Sequence, residues 1–272
     1  MNEAAHRFGA TGHLVGITGI PDPALTTRGV GVIVLNAGLV QRAGPFRLHV
    51  SLTRRLNACG YATLRLDLSG LGDSGVDGNP RSRQEQVSAD ISAAMRLLAA
   101  HAGCTRFVLV GLCSGAANAH GAAREHAEVA GAVFLDGYAY RTHGFRMRHY
   151  FARLIHASPG HLIKAIFRRI QPRGNLEADP LFEVGFPPRR EVATDLLAML
   201  GRGLNLFFVF SGGASGYFNH LRQFRECYGA IARHPGIEVR YFDGADHTYV
   251  LGADRAMLVD AIAEWMRRKF PD

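Results

Sequence analysis

Two adjacent residues, Cys113 and Ser114, are the groups in this chain best placed to attack a carbonyl carbon. They follow an apolar, β-branched run in "RFVLVGLCSGAANAH", residues 106–120, with Gly111 and Gly115 close on either side. A nucleophile raised on a strand-to-helix turn needs small residues two positions before and after it, because the backbone doubles back there. With Cys113 at the point, those neighbours are Gly111 and Gly115; with Ser114 they are Leu112 and Ala116, and a leucine clashes. The spacing selects Cys113. It would stand at the N-terminus of a helix running from Ser114 to about His126, where the helix dipole favours thiolate over thiol. Cys59, Cys104 and Cys227 have neither a glycine bracket nor CxxC spacing. They read as buried and inert, and no metal, disulfide framework or other cofactor is expected.

A thiol of this kind works with a base, an orienting acid and N–H donors for the oxyanion. Among the histidines, His247 in "GADHTY" (244–249) occupies the short loop after the last expected strand, at the end of the sheet where the elbow also emerges. His6, His101, His126, His156, His220 and His234 are expected on helix surfaces or ends, solvated. Asp246 is read as bracing its own loop.

The elements that must hold these residues follow an alternating rhythm. Short apolar runs at 13–20, 29–38, 61–67, 106–112, 130–137, 204–213 and 236–244 read as strands, and helical patterns fall at 45–60, 83–101, 114–126, 217–233 and 253–269. This is the pattern of an α/β fold, a mostly parallel, doubly wound sheet covered on both faces. The gap between the strands at 130–137 and 204–213 far exceeds the roughly 2–6 residues usual for such connections. Residues 138–203 are therefore expected to form a helical cap inserted between late strands of a core made of 1–137 and 204–272.

Taken in order along the chain, "NAGLVQRAGPFRLHV" (36–50), "DLSGLGDSG" (67–75), "GLCSG" and "GADHTY" resemble the α/β-hydrolase superfamily over nearly the whole length. The elbow carries cysteine where serine is usual. The capped, serine-aminopeptidase-like hydrolases, exosortase-associated ones included, are the most similar subgroup, and the cysteine also resembles dienelactone hydrolases. The resemblance implies an oxyanion hole from the N–H of Ser114 and that of Gly38 or Leu39, since "NAGL" stands where a His-Gly pair is commoner. Arg42, just beyond, is a candidate to project over the pocket as a substrate-binding residue or to be an ordinary surface arginine. The usual acid position, after the strand "LFFVFSGG", has no carboxylate in "SGGASGYFNH". Some members place the acid one strand earlier, which here is Asp136 in "VFLDGY". Cys113, His247 and Asp136 are thus the expected catalytic set.

The chain of 272 residues carries 31 Lys and Arg against 23 Asp and Glu, a formal charge of +8. No nucleic-acid motif or lysine-rich tail accompanies this, so nucleic acid is not an expected partner. The excess lies in the cap: Arg141, Arg146, Arg148, Arg153, Lys164, Arg168, Arg169, Arg173, Arg189 and Arg190 face only Glu177, Asp179 and Glu183 up to Arg190. In "HLIKAIFRRI", Leu162, Ile163, Ile166, Phe167 and Ile170 share one face, with Arg168 and Arg169 away from it. One reading is a cap helix with a solvated basic face. Another is a basic mouth recognising the phosphates of a coenzyme A or carrier-protein thioester, with Arg168 and Arg169 binding substrate. Binding of a membrane surface is the least favoured. The start lacks the basic-then-apolar run of a signal peptide, and no segment approaches the roughly 20 apolar residues of a membrane span. A soluble cytoplasmic protein is expected.

These features give an acyl-transfer enzyme, thioesterase, esterase or acyltransferase, working through an S-acyl intermediate on Cys113. The alternatives are a dienelactone-hydrolase-like lactonase and a non-catalytic binding protein of the hydrolase fold.

Overall fold

The computed structural model describes residues 2–25, 28–156 and 186–271, with the side chains of 152–156 left out. Eight strands form one sheet in the order β1-β2-β4-β3-β5-β6-β7-β8. They are β1 (Asn2–Phe8), β2 (Leu14–Ile20), β3 (Val30–Val34), β4 (Thr63–Asp67), β5 (Arg106–Leu112), β6 (Val129–Leu135), β7 (Asn205–Ser211) and β8 (Ile237–Phe242). β1 and β2 run antiparallel, β2 runs antiparallel to β4, and every pairing from β4 to β8 is parallel. The α/β class and the mostly parallel sheet expected from the sequence are present.

Alternation along the strands explains the two covered faces. In β5, Phe107 and Leu109 enter one core with helices α2 (Arg83–Ala102) and α3 (Ser114–Glu125). Val108, Val110 and Leu112 enter the other, with α1 (Leu48–Ala58) and the C-terminal helix α7 (Gly252–Lys269). A period of two sends successive side chains to opposite faces, so a strand apolar throughout is buried on both. Local signals fix the helix ends. Ser82 and Glu85 form a reciprocal capping box at the start of α2, and Gly103, at φ 66°, ends it.

Three details depart from the expected elements. The chain opens with the strand β1, where His6 bonds Thr18 across the hairpin at 2.8 Å rather than lying on a helix surface. The helix expected at 217–233 is reduced to α6 (Arg222–Tyr228) and a short 3₁₀ turn, Ile231–Arg233. Buried Gln223 holds the preceding loop open by donating to the carbonyls of Tyr140 and Tyr217. Between β6 and β7 stand α4 (His143–His156) and α5 (Arg189–Gly201). The expected cap range includes α5, yet Val192, Leu196 and Met199 of α5 pack into the core beneath the sheet, as a crossover helix does. The expected helix around Lys164, Arg168 and Arg169 lies outside the described residues. Among the described residues, no helix is long and apolar enough to cross a membrane.

β3 is flanked by β4 on one side and β5 on the other, so the chain leaves it in one direction and returns in the other. The loops at the carboxyl ends of β3 and β5, where an open α/β sheet usually holds its ligand, meet there, the Gly38 N–H donating to the Ser114 hydroxyl.

Candidate active site

Cys113 stands at the junction of β5 and α3 with φ 57° and ψ −117°, a backbone conformation that side-chain-bearing residues rarely adopt. The glycines that bracket it have no room for more. A Cβ on Gly111 would lie 2.0 Å from the carbonyl oxygen of Gly115, and one on Gly115 would lie 2.4 Å from that of Asn36. Cys113, half-buried, is therefore the residue at the point of the turn. Ser114 begins the helix.

His247 comes from the loop after β8, and its Nδ1 lies 2.6 Å from Oδ2 of Asp136. Asp136 follows β6, also at positive φ (50°), and is buried. Ser211, the last residue of β7, donates its N–H to Oδ1 and its hydroxyl to Oδ2 of Asp136, both at 2.7 Å. Tyr217 donates its hydroxyl to the Asp136 carbonyl at 2.8 Å. Fixed in this way, the carboxylate accepts the Nδ1 proton of His247 and leaves Nε2 for the thiol.

The conventional acid position is sterically filled. A Cβ on Gly213 would lie 2.3 Å from the backbone nitrogen of His247, and one on Gly212 would lie 2.0 Å from the Asp243 carbonyl. No side chain fits at Gly212 or Gly213 while the histidine loop keeps its place, which is why "SGG" stands there. Asp246 accepts from the N–H groups of Thr248 and Val250 and braces its own loop.

The electrostatics of Cys113 and His247 are coupled. The hydrogen bond with His247 lowers the thiol below its ordinary value, against burial, which raises it. The bond to Asp136 and then the contact with Cys113 raise His247 to about 10. Both directions favour the thiolate–imidazolium pair over the neutral one, and a pair so close titrates as a unit.

Of the expected loop donors, the N–H of Gly38 points at the elbow, donating to the Ser114 hydroxyl at 2.8 Å. That hydroxyl accepts from Gly38 and keeps its own proton available to donate. Leu39, at the tip, is 84% exposed. Arg42 corrects the expectation of a substrate-binding role. Its Nη1 donates to Oδ2 of Asp67 at 2.5 Å and to Oδ2 of Asp73 at 2.7 Å, while its N–H donates to Oδ1 of Asp67 at 2.5 Å. Two carboxylates neutralise the guanidinium and turn it into a brace for the 36–44 loop. Asn36 completes that brace, donating to Asp67 and to the Val40 carbonyl and accepting from the N–H of Leu68. Sequence reasoning passed over Ser211, Tyr217, Asn36 and Asp67. The motif containing Asp67 was visible, but not its partner. Arg168 and Arg169 lie outside the described residues. Among the described residues, no group of three His, Cys, Asp or Glu side chains is arranged to hold a metal ion.

Residues 32–271 match the family described as "Alpha/beta hydrolase family". No curated protein matches the sequence. Solved structures do match in fold. An a/b serine hydrolase without lid from Xanthomonas campestris is 14% identical, with a TM-score of 0.58, over 100% of this chain and 97% of its own. An esterase from Pyrococcus furiosus is 16% identical at TM-score 0.61, over 99% and 92%. The esterase domain of a Rhodothermus marinus protein is 20% identical at TM-score 0.56, over 98% of each chain.

Proposed function

The chain belongs to the α/β-hydrolase family, and from that membership we propose an acyl-transfer enzyme working through an S-acyl intermediate on Cys113. The observation that carries this reading is one arrangement. A cysteine sits on the strained point of the elbow, its thiol lowered by a histidine that is bonded to a buried carboxylate. An inert core cysteine has no need of such surroundings.

The Cys113 thiolate attacks the acyl carbonyl, and its proton resides on Nε2 of His247. The oxyanion forms against the N–H of Ser114; the Gly38 N–H, bonded to the Ser114 hydroxyl in this structure, joins it only when that bond opens. Collapse breaks the bond to the leaving thiol or alcohol, which takes the Nε2 proton, and leaves a thioester on Cys113. His247 then accepts a proton from the incoming water, amine or alcohol as it attacks that thioester. The second collapse restores thiolate and imidazolium. Asp136 holds the imidazole tautomer throughout.

A thioester or activated ester is the substrate class, because exchange between thioesters is nearly isoenergetic and suits a thiol nucleophile. A coenzyme A or carrier-protein thioester agrees with the arginine-rich stretch between β6 and β7, and the motif order agrees with a capped, aminopeptidase-like member of the family. The hydrogen bond between Asp136 and His247 supports an enzyme over a purely binding protein of the same fold. Intact-protein mass spectrometry after incubation with a panel of small acyl thioesters tests the reading. An acyl adduct on Cys113 is expected; turnover or acylation that survives Cys113→Ala overturns it.

A further inference from the structure

An open surface hollow of about 530 Å³ lies between the start of α4, the start of α5 and α6. Arg141, Thr142, His143, Arg146, Arg189 and Glu226 line it. Among the described residues that line it, the carboxylate is that of Glu226, and it is already bound. Arg148 grips both of its oxygens, at 2.7 and 3.2 Å, and the Thr142 hydroxyl donates to it. Gly144 lets the carboxylate lie against the helix start, since a Cβ there would fall 2.4 Å from Oε1 of Glu226. Three guanidinium groups are left over. Arg141 is pinned by donating Nε to the Gly216 carbonyl at 2.7 Å and by lying over the Phe145 ring. Arg146 and Arg189 meet no carboxylate within ion-pair distance among the described residues.

We infer that this cavity binds the phosphate groups of a phosphate ester or anhydride. Like charges gathered around one concave space repel each other, and an anion filling it removes that repulsion. Arginine forks suit the several oxygens of a phosphate, and forks from separate elements enclose it. The volume falls in the range of small-ligand pockets, unlike the extended stripe that a polynucleotide needs. The site is also connected to the candidate catalytic groups. Gly216, which holds Arg141, precedes Tyr217, whose hydroxyl bonds the Asp136 carbonyl. A phosphate held here is the remote, non-reacting part of a molecule whose acyl group reaches Cys113, a placement that rests on the proposed function.

Calorimetric titration of the full chain at low salt tests the site directly and needs no turnover, so its outcome is independent of whether Cys113 is acylated. The probes are inorganic pyrophosphate, coenzyme A and pantetheine, which lacks the phosphates. Pyrophosphate and coenzyme A are expected to bind saturably, with pantetheine at least about tenfold weaker. Tighter binding of coenzyme A marks a phosphate carried on a thiol; tighter binding of pyrophosphate marks a free anhydride. Arg141→Gln with Arg146→Gln, and separately Arg189→Gln, should weaken both by about tenfold or more, while the control Arg96→Gln on α2 changes neither. No saturable pyrophosphate binding, no effect of the three substitutions, or an equal loss in Arg96→Gln would overturn the site. The last result would show diffuse attraction to a basic protein.

Discussion

Gly213 and His247 are in such close contact that a β-carbon on the glycine would lie 2.3 Å from the histidine's backbone nitrogen. This contact accounts for the position of the acid. A side chain after β7 and a histidine loop in this place exclude each other, and the carboxylate comes instead from the end of β6. Gly213→Asp, which restores an acid to its commoner strand, should therefore not rescue Asp136→Asn. It should displace the histidine loop and cost on the order of 1–3 kcal/mol, read as a lower melting temperature and slower alkylation of Cys113. Rescue of turnover by Gly213→Asp would show that the loop yields and that the contact does not decide the acid's position.

Asp136→Asn should lower kcat by roughly two orders of magnitude, within the range for general acid–base catalysis, and change KM little. An amide can still accept from the Ser211 N–H but also presents a donor to His247 Nδ1, which favours the wrong tautomer. Ser211→Ala, which removes only the hydroxyl bonded to Oδ2, should give a smaller loss in the same direction. Steady-state kinetics on one thioester checks both, and near-normal turnover in Asp136→Asn would reduce the site to a Cys–His dyad.

The pH dependence has a definite sign. His247 is raised from 6.5 to about 10 in the folded protein, so its contribution to stability is complete below about pH 6.5 and lost as pH rises through 10. Denaturant unfolding of the protein with Cys113 kept reduced, with and without His247→Gln, should show a difference that shrinks across that window. Cys113 is lowered from 9.0, so its alkylation rate should begin to rise at a pH below that of an ordinary thiol. His247→Gln should return that rise to the ordinary range.

The two members of the elbow should separate cleanly. Cys113→Ala should abolish the acyl adduct in intact-mass spectra. Ser114→Ala keeps the backbone N–H and loses the hydroxyl that accepts from Gly38, so acylation should survive within about tenfold, with a stability loss of about 1 kcal/mol for one hydrogen bond. Equal inactivity of the two variants would place the nucleophile one residue later than the backbone does.

Arg42→Ala should act on the fold more than on substrate binding. It strips the guanidinium from Asp67, a fully buried carboxylate, and breaking such a pair from one side costs about 3–5 kcal/mol. Thermal unfolding should show this loss. A variant of unchanged stability with a raised KM for anionic substrates only would return Arg42 to the substrate.

How much of this was legible beforehand depended on distance along the chain. The elbow frame was readable because Gly111 and Gly115 stand within two residues of Cys113, and the strand at 106–112 because both of its faces are apolar. β1 was missed because "NEAAHRF" has no β-branched residue and gains its place by pairing with β2. The acid was readable as a residue at the right strand end, whereas the contributions of Ser211 and Gly213 exist only once β6, β7 and the histidine loop are neighbours. Arg42 shows the same limit. In sequence it reads as a substrate-binding or surface arginine, and its carboxylates arrive from the end of β4 and the loop after it, more than twenty residues on.

Under the proposed mechanism, the positive-φ backbone at Cys113 sets stability and activity against each other under selection. A residue with a side chain held at such a φ costs about 1–3 kcal/mol, and glycine is the substitution that releases it. A library of variants ranked by heat resistance alone would favour the change that removes the proposed nucleophile, and the survivor would still fold and express as a family member. Ancestors or designs recovered by stability should therefore be sorted by thiol labelling before any of them is taken for an active relative.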